Sequence, residues 1–142
     1  MLEITQLKTA TQSALDELLA LGRELHADNR TMNLSSLEEL LADESAIMMV
    51  VKDGERIVGM ATLYIIPKIG KKNGLLEDVI ISAEYRGQGL GERLVREVLT
   101  IAKAQGLASI TLTSNPVRVA AHKLYEKVGF VKKDSEVLRI SL

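Results

Sequence analysis

The sequence predicts one α/β domain, in which a mixed and mostly antiparallel sheet carries helices on both faces. Strand-like runs follow one another in the first half of the chain, and two of them flank an Asp53-Gly54 pair, which is typical of a β-hairpin. In the second half, strand-like runs alternate with amphipathic helical patterns. No linker, repeat or low-complexity segment interrupts the chain, so we expect residues 1–142 to form a single domain.

Composition restricts the class of function. Hydrophobic residues make up 46% of the chain and charged residues 26%, as in soluble globular proteins, and a net charge of −1 disfavours nucleic-acid binding. The chain has no cysteine, and its two histidines, His26 and His122, are far apart, so we expect no metal site. Met1–Gln6 lacks the pattern of a secretion signal, and no apolar run approaches the roughly 20 residues of a membrane span. We therefore expect a cytoplasmic protein without a membrane partner.

The first elements are a strand and two helices. Alternation of apolar and polar residues predicts a strand over Leu2–Leu7, and leucines on one helical face predict a helix over Gln12–Leu25. Ser35 or Ser36 is expected to cap a second helix. Residues 26–33 between the helices are polar, and we expect them to be mobile.

Three strands are expected next. Ala46–Val51 and Arg56–Ile66 are the strands of the hairpin, and Pro67 is expected to end the second of them. Residues 68–73 then form a basic loop. The run Leu75–Ile81 is apolar enough to predict a strand that is covered on both faces.

The last elements alternate in type. A helix with a continuous apolar stripe is expected to end near Gly106, and Ser109–Thr113 alternates as a strand. Because proline is favoured in the first turn, a further helix is expected from Pro116 to about Lys127. Phe130–Lys133 and Val137–Leu142 are predicted to be a closing pair of strands.

The segment Glu84–Glu92 carries the clearest chemical signal. Glycines at three alternate positions remove side chains from a turn that precedes a helix, so backbone N–H groups can approach a bound group closely. The start of the helix adds unpaired N–H donors and the positive end of the helix dipole. These features predict an anion site, most plausibly for a diphosphate.

Two common nucleotide-binding motifs do not fit this loop. A dinucleotide fingerprint, G-x-G-x-x-G, would require a third glycine where the chain has Glu92 or Leu94. A phosphate loop of the form G-x-x-x-x-G-K-[ST] does not occur in the chain.

Two motifs resemble those of the GCN5-related N-acetyltransferase (GNAT) superfamily. Arg86–Gly91 fits its R/Q-x-x-G-x-G/A motif, and Leu124–Phe130 is similar to its later signature. The resemblance implies a sheet in which two parallel strands splay apart and form the acetyl-CoA cleft. Residues 75–91 are also similar to the corresponding stretch of glucosamine-6-phosphate acetyltransferases, a stretch that recurs in bacterial members with other acceptors.

The resemblance implies which residues bind acetyl-CoA. The pantetheine arm would pair with the backbone of one of the splayed strands, here at Val79, Ile80 and Ile81. The diphosphate would contact the glycine segment, which comprises Arg86, Gly87, Gln88, Gly89, Leu90, Gly91 and Glu92. Many members have an asparagine seven residues before the signature tyrosine, but Arg118 stands there in this chain. Asn115 is the nearest asparagine and is either a cofactor contact or a helix cap.

Catalytic roles follow from the same resemblance. Tyr125 is similar to the tyrosine that protonates the departing CoA thiolate, and a phenol with an ordinary pKa near 10 is protonated at neutral pH. Glu77 is the first choice for a general base acting through water. Asp78 is adjacent, and a bulge in this strand would leave open which carboxylate faces the cleft.

The implied function is transfer of an acetyl group from acetyl-CoA to the primary amine of a small molecule, an amino sugar or a peptide. The alternative is a non-catalytic, acyl-CoA-binding regulatory module that keeps the loop without turnover. The sequence does not identify the acceptor. The apolar residues within Phe130–Leu142 are compatible with a homodimer and equally with a monomer.

Overall fold

A computed structural model describes residues 1–26 and 30–142 and contains a five-stranded sheet in the order β1-β2-β3-β4-β5. Neighbouring strands are antiparallel except β4 and β5, which are parallel. The predicted fold class is therefore confirmed. The strands are β1 (Leu2–Gln6), β2 (Ala46–Asp53), β3 (Arg56–Lys68), β4 (Lys71–Ile81) and β5 (Ile110–Thr111).

Four helices accompany the sheet: α1 (Gln12–Leu25), α2 (Leu34–Ala42), α3 (Leu90–Ala104) and α4 (Val119–Val128). None of the helices described is long and apolar enough to cross a membrane. Of the segment 26–33, which we expected to be mobile, residues 27–29 lie outside the described residues.

The cap of α2 differs from the prediction. The Asn33 side chain accepts a hydrogen bond from the Ser36 N–H at 2.8 Å, and Asn33 has the extended backbone that a cap requires. The prediction that Ser35 or Ser36 caps this helix is therefore wrong. Helical structure begins at Leu34, so both serines lie inside the first turn, where N–H groups need an acceptor that precedes them.

Helices cover both faces of the sheet. Val50 and Val51 are both fully buried, yet Val50 packs in the cluster beneath α1 and α2, whereas Val51 packs in the cluster beneath α3 and α4. Successive strand residues point to opposite faces, so a strand that buries both must be covered on both sides.

The first of the two hairpins has the predicted turn, whereas the second is longer than the sequence indicates. The turn at Asp53-Gly54 is confirmed, with Gly54 at a φ of 61°. The second hairpin is longer than predicted, because Pro67 pairs with Lys72 and Lys68 pairs with Lys71. The prediction that Pro67 ends β3 and that residues 68–73 form a loop is wrong. The ladder of β2 with β3 stops at the Ala46–Tyr64 pair, so Pro67 lies where β3 is an edge strand and proline is tolerated.

The C-terminal third contains less regular structure than predicted. β5 has only two residues, and α4 begins at Val119 rather than at Pro116, which lies in the preceding turn. The predicted closing strands, Phe130–Lys133 and Val137–Leu142, are wrong: residues 130–142 form no strand, and residues 131–142 are exposed. Apolar alternation predicts a strand only where a ladder partner exists, and β5 is too short to supply one.

Two departures from a regular ladder define the functional end of β4. β4 pairs with β5 only at Gly74–Ile110 and Leu75–Thr111, which confirms the expected splaying of the parallel strands. On the other side, Met60 pairs with Ile80 and Thr62 with Glu77, so two residues of β4 oppose Ala61. This β-bulge contains Asp78, whose φ of 54° is unusual for a residue with a side chain.

Candidate active site

A cleft of about 870 Å³ opens where β4 and β5 separate. β4, the glycine segment and the start of α4 form its walls, and Glu24 and Leu25 at the end of α1 close one side. Most of the residues that the sequence indicated for acetyl-CoA lie together here: Val79, Ile80, Ile81, Arg86, Gly87, Gly89, Leu90, Gly91, Glu92 and Tyr125. Gln88 belongs to the same loop but does not line the cleft as the structure describes it.

The glycine segment presents bare backbone to this cleft. Gly87 and Gly89 have φ values of 79° and 77°, in the left-handed region that favours glycine. Gly89 is the N-cap of α3 without a side-chain cap, and the Arg93 N–H donates to its carbonyl at 3.1 Å. The N–H groups of residues 90–92 therefore have no intrahelical acceptor, which makes this end of α3 suited to an anion.

Two side chains at the start of the segment fix its position. The Arg86 Nε donates to the Ile81 carbonyl at 2.9 Å, which ties the loop to the end of β4. The Tyr85 hydroxyl donates to Asp53 at 2.6 Å and thereby ties the loop to the β2–β3 turn. This bond lowers the pKa of Asp53 and raises that of Tyr85. Sequence reasoning missed Tyr85, because its partner lies 32 residues away.

Glu92 joins the two helices beside the cleft. Its carboxylate contacts Lys127 of α4 at 2.9 Å and Arg96 of α3 at 2.9 Å. The hydrogen bonds from Lys127 and then Arg96 lower the pKa of Glu92. Arg96 and Lys127 thus neutralise the Glu92 carboxylate at the start of α3, so that its negative charge does not act against an anion there.

Tyr125 projects from α4 into the same cleft and is only 7% exposed. Its ring packs edge-on against Phe130, with centroids 5.7 Å apart. Burial raises the pKa of the Tyr125 hydroxyl, and the positive charge of Arg118 partly opposes that rise. A phenol with a raised pKa keeps its proton at neutral pH and can donate it.

Asn115 lies in the turn before α4 and does not line the cleft in the described part of the chain. Its side-chain oxygen accepts from the Val117 N–H at 3.0 Å, and its carbonyl accepts from the Arg118 N–H at 3.0 Å. Arg118, which stands where many relatives have asparagine, does line the cleft.

The bulge decides where the two neighbouring carboxylates point. Glu77 pairs with Thr62, which lines a cavity beneath α1, and directly paired residues share a face of the sheet. Asp78 lies on that face as well, because its Oδ1 is 3.0 Å from the His26 Nε2 at the end of α1. Regular strand geometry would have placed the two on opposite faces.

This second cavity has a volume of about 320 Å³ and lies between the sheet and the helices α1 and α2. At two points of the chain, a residue that lines this cavity is next to one that lines the larger cleft. At the bulge, Asp78 lines the cavity and Val79 the cleft, and at the end of α1, His26 lines the cavity and Leu25 the cleft. A molecule in each could therefore make contact beside β4.

A cleft with a glycine-rich anion site, an unpaired strand edge and a buried tyrosine is the arrangement expected of an acyl-CoA-dependent transferase. The chain belongs to the acetyltransferase (GNAT) family, whose model matches residues 11–130.

Relatives agree with this membership. The chain is 32% identical to N-acetyltransferase 8B of Rattus norvegicus over 76% of its own length and 48% of that protein. It is 38% identical to a glucosamine 6-phosphate N-acetyltransferase of Trypanosoma brucei brucei over 53% of its length and 51% of that protein. The chain thus spans about half the length of the curated relatives it matches. A solved Trypanosoma brucei acetyltransferase superposes with a TM-score of 0.81 at 28% identity, with both chains fully covered.

Proposed function

We propose that this chain is an N-acetyltransferase that moves an acetyl group from acetyl-CoA to a primary amine. The observation that carries the proposal is the convergence on one cleft of the glycine segment, the unpaired edge of β4 and the Tyr125 hydroxyl. Each of these features suits a different part of the donor.

The residues present fit acetyl-CoA. The N–H groups at the start of α3 suit its diphosphate, and the space above Gly87 and Gly89 is open, since a Cβ at either would meet nothing within 4 Å. From Leu76 to Ile81, the edge of β4 that faces away from β3 has no strand partner in the described residues, which suits the amides of a pantetheine arm. Val79, Ile80 and Ile81 would supply these backbone contacts.

Two side chains transfer protons during the reaction. Acetyl-CoA supplies a thioester; the acceptor nitrogen forms a bond to its carbonyl carbon, and the carbon–sulfur bond breaks. Glu77, through water, takes the proton that the bound ammonium must lose before its nitrogen has a lone pair for attack. Tyr125 donates its hydroxyl proton to the departing sulfur and recovers from solvent a proton equivalent to the one that the nitrogen loses after attack, so that the products are an amide and free CoA thiol.

Asp78 is the other candidate for the base. It stands beside Glu77 on the same face, and its Oδ1 is held by His26. We assign Glu77 the base role because no side chain in the described part of the chain binds its carboxylate, whereas the contacts of Asp78 fix its position. Variants of the two residues test this assignment in the Discussion.

The alternative function is a non-catalytic module that binds acyl-CoA. It would share the glycine segment but would not need a protonated tyrosine in the cleft or carboxylates at the bulge. The presence of both favours the enzyme. Homodimerisation through residues 130–142 and a cytoplasmic location both stay predictions.

A free-thiol assay separates the two functions. The protein is incubated with acetyl-CoA and a panel of amines that includes an arylalkylamine, an amino sugar phosphate and a peptide, and its thermal midpoint is measured with and without CoA. An enzyme releases thiol with at least one amine and is stabilised by CoA. Stabilisation without thiol release from any amine would support the binding module, and the absence of both would exclude acyl-CoA as a ligand.

A further inference from the structure

Gly22 is the starting point for an inference about the acceptor, which rests on the proposed acetyltransferase function. Glycine is the least favourable residue after proline in a helix interior, yet Gly22 lies within α1 and does not have a positive φ. No neighbour requires it either, because a Cβ at Gly22 would meet nothing within 4 Å. Gly22 lines the 320 Å³ cavity, so the missing side chain leaves space there that no described residue fills.

The walls of this cavity are mostly apolar. α1 and α2 contribute Leu18 and Leu37, and the sheet contributes Met48 and Met60. Methionine side chains adapt their shape to irregular neighbours, which suits them to hold a small apolar group. The volume lies at the lower end of the range of about 300–1,000 Å³ that is typical of small-molecule sites.

The end of the cavity next to the donor cleft carries negative charge. Asp78 lines it, and both contacts of its carboxylate, with His26 at 3.0 Å and with Arg30 at 3.8 Å, use the Oδ1 atom. Within the described part of the chain, no side chain donates to the Oδ2 atom. Glu77 lies close by, since the charges of Asp78 and Glu77 both contribute, after burial, to the raised pKa of Tyr64, another lining residue.

We propose that this cavity is the acceptor site and that it takes a primary amine borne on an apolar group. The apolar group lies against α1, α2 and the two methionines, and the ammonium lies between Asp78 and the bulge, beside the donor cleft. This orientation brings the nitrogen to the point where the two cavities meet.

The same walls disfavour a phosphorylated amino sugar. A phosphate needs several cationic or N–H donors. Among the lining residues that the structure describes, His26 and Arg30 carry such donors, but both contact the Asp78 carboxylate, and most of the other lining residues are leucine or methionine. The basic residues Lys68, Lys71 and Lys72 are exposed at the β3–β4 hairpin and do not line the cavity. The acceptor is therefore expected to differ from that of the glucosamine 6-phosphate relative.

The test fills part of the cavity with a larger side chain at position 22. Binding of 2-phenylethylamine to the CoA-saturated protein is measured by calorimetry, and its acetylation is measured as thiol release. Gly22→Leu is expected to weaken amine binding about tenfold or more. CoA affinity should stay the same, and the thermal midpoint should not fall, because leucine is a better helix former.

Ala20→Leu is the matched control. Ala20 lies on the exposed side of the same helix, so the added side chain reaches solvent and amine binding should be unchanged. The neutral analogue 2-phenylethanol should bind more weakly than the amine to the unaltered protein. In Asp78→Asn that difference should shrink.

The outcomes distinguish the inference from the function on which it rests. Equal amine binding in Gly22→Leu and the unaltered protein, no detectable binding of 2-phenylethylamine, or tighter binding of glucosamine 6-phosphate would each overturn the assigned acceptor chemistry, even if another amine is acetylated. Amine binding that is blocked by Gly22→Leu without any thiol release would support the cavity assignment and overturn the acetyltransferase function.

Discussion

The proposed donor cleft and the proposed acceptor cavity adjoin the bulge of β4, where Val79 lines the first and Asp78 the second, but they are built in different ways. In the cleft, the groups proposed to bind the donor are largely backbone groups of two short continuous segments, the end of β4 and the residues from Arg86 to Glu92, while the ends of α1 and α4 complete the walls. The cavity is formed by side chains of α1, α2, β2, β3 and β4. The donor side therefore depends on local conformation, whereas the acceptor side depends on how distant elements pack.

This difference has a functional consequence. A ligand bound by backbone N–H groups tolerates varied side chains, so a donor site of this kind can stay the same while the acceptor changes. Side chains such as Met48, Met60 and Leu18 instead set the shape of the acceptor cavity directly. We expect substitutions in the two regions to separate donor affinity, acceptor affinity and chemistry.

The largest effect is expected for Tyr125→Phe, which acts on chemistry alone. Loss of the hydroxyl removes the proton donor, so kcat should fall about 100-fold, while phenylalanine keeps the edge-on packing against Phe130. Thiol-release assays measure kcat, and CoA titrations measure the affinity for CoA. An unchanged kcat would remove Tyr125 from the acid role.

Glu77→Gln and Asp78→Asn are a pair that separates base from acceptor contact. Glu77→Gln should lower kcat about tenfold to 100-fold with little change in the KM for the amine, since a general base acts in the transition state. Asp78→Asn should mainly raise the KM for the amine. The reverse pattern, a lower kcat in Asp78→Asn only, would assign the base to Asp78.

Gly89→Ala should weaken CoA binding in the donor cleft without affecting amine binding in the acceptor cavity. Alanine in the left-handed region costs about 1–2 kcal/mol, and relief of this strain would move the N–H groups of the anion site. We expect the Kd for CoA to rise about tenfold. Gly106→Ala is the matched control, because Gly106 has a φ of 73° at the other end of α3. It should lose similar stability and keep its CoA affinity; equal loss of affinity in both variants would contradict a local role for Gly89.

The smallest effect concerns the bond that holds the glycine segment to the β2–β3 turn. The Tyr85 hydroxyl lowers the pKa of Asp53, so its stabilising effect is present above the ordinary aspartate pKa near 3.9 and is lost as the pH falls through the lowered value. Tyr85→Phe should therefore lower the thermal midpoint slightly at pH 7, and the difference should disappear once the pH is below the lowered pKa of Asp53. A difference that persists in acid would assign the effect to packing.

The sequence predicted most of the fold. The boundaries of α1 were correct, because four leucines and the polar residue Thr11, whose side chain accepts from the Ala14 N–H, define that helix locally. The two wrong strand predictions share a cause: Pro67 and residues 130–142 were judged by local pattern. Whether an extended segment joins a sheet depends on a partner strand. Pro67 pairs with Lys72 of β4 in a part of β3 that β2 does not reach, while β5 offers almost no ladder to residues 130–142.

For the proposed site, the sequence alone indicated the donor half. Gly87, Gly89 and the start of α3 present N–H groups suited to an anion through the conformation of a few successive residues, and that information is local. The proposed acceptor half depends on tertiary structure. One extra residue at the bulge brings Asp78 to the face that carries Glu77, and the packing of α1 then places His26 beside it and Gly22 in the lining of the same cavity. Because a shift of one residue reverses the face of a strand side chain, only the register of the folded sheet could settle which groups meet the amine.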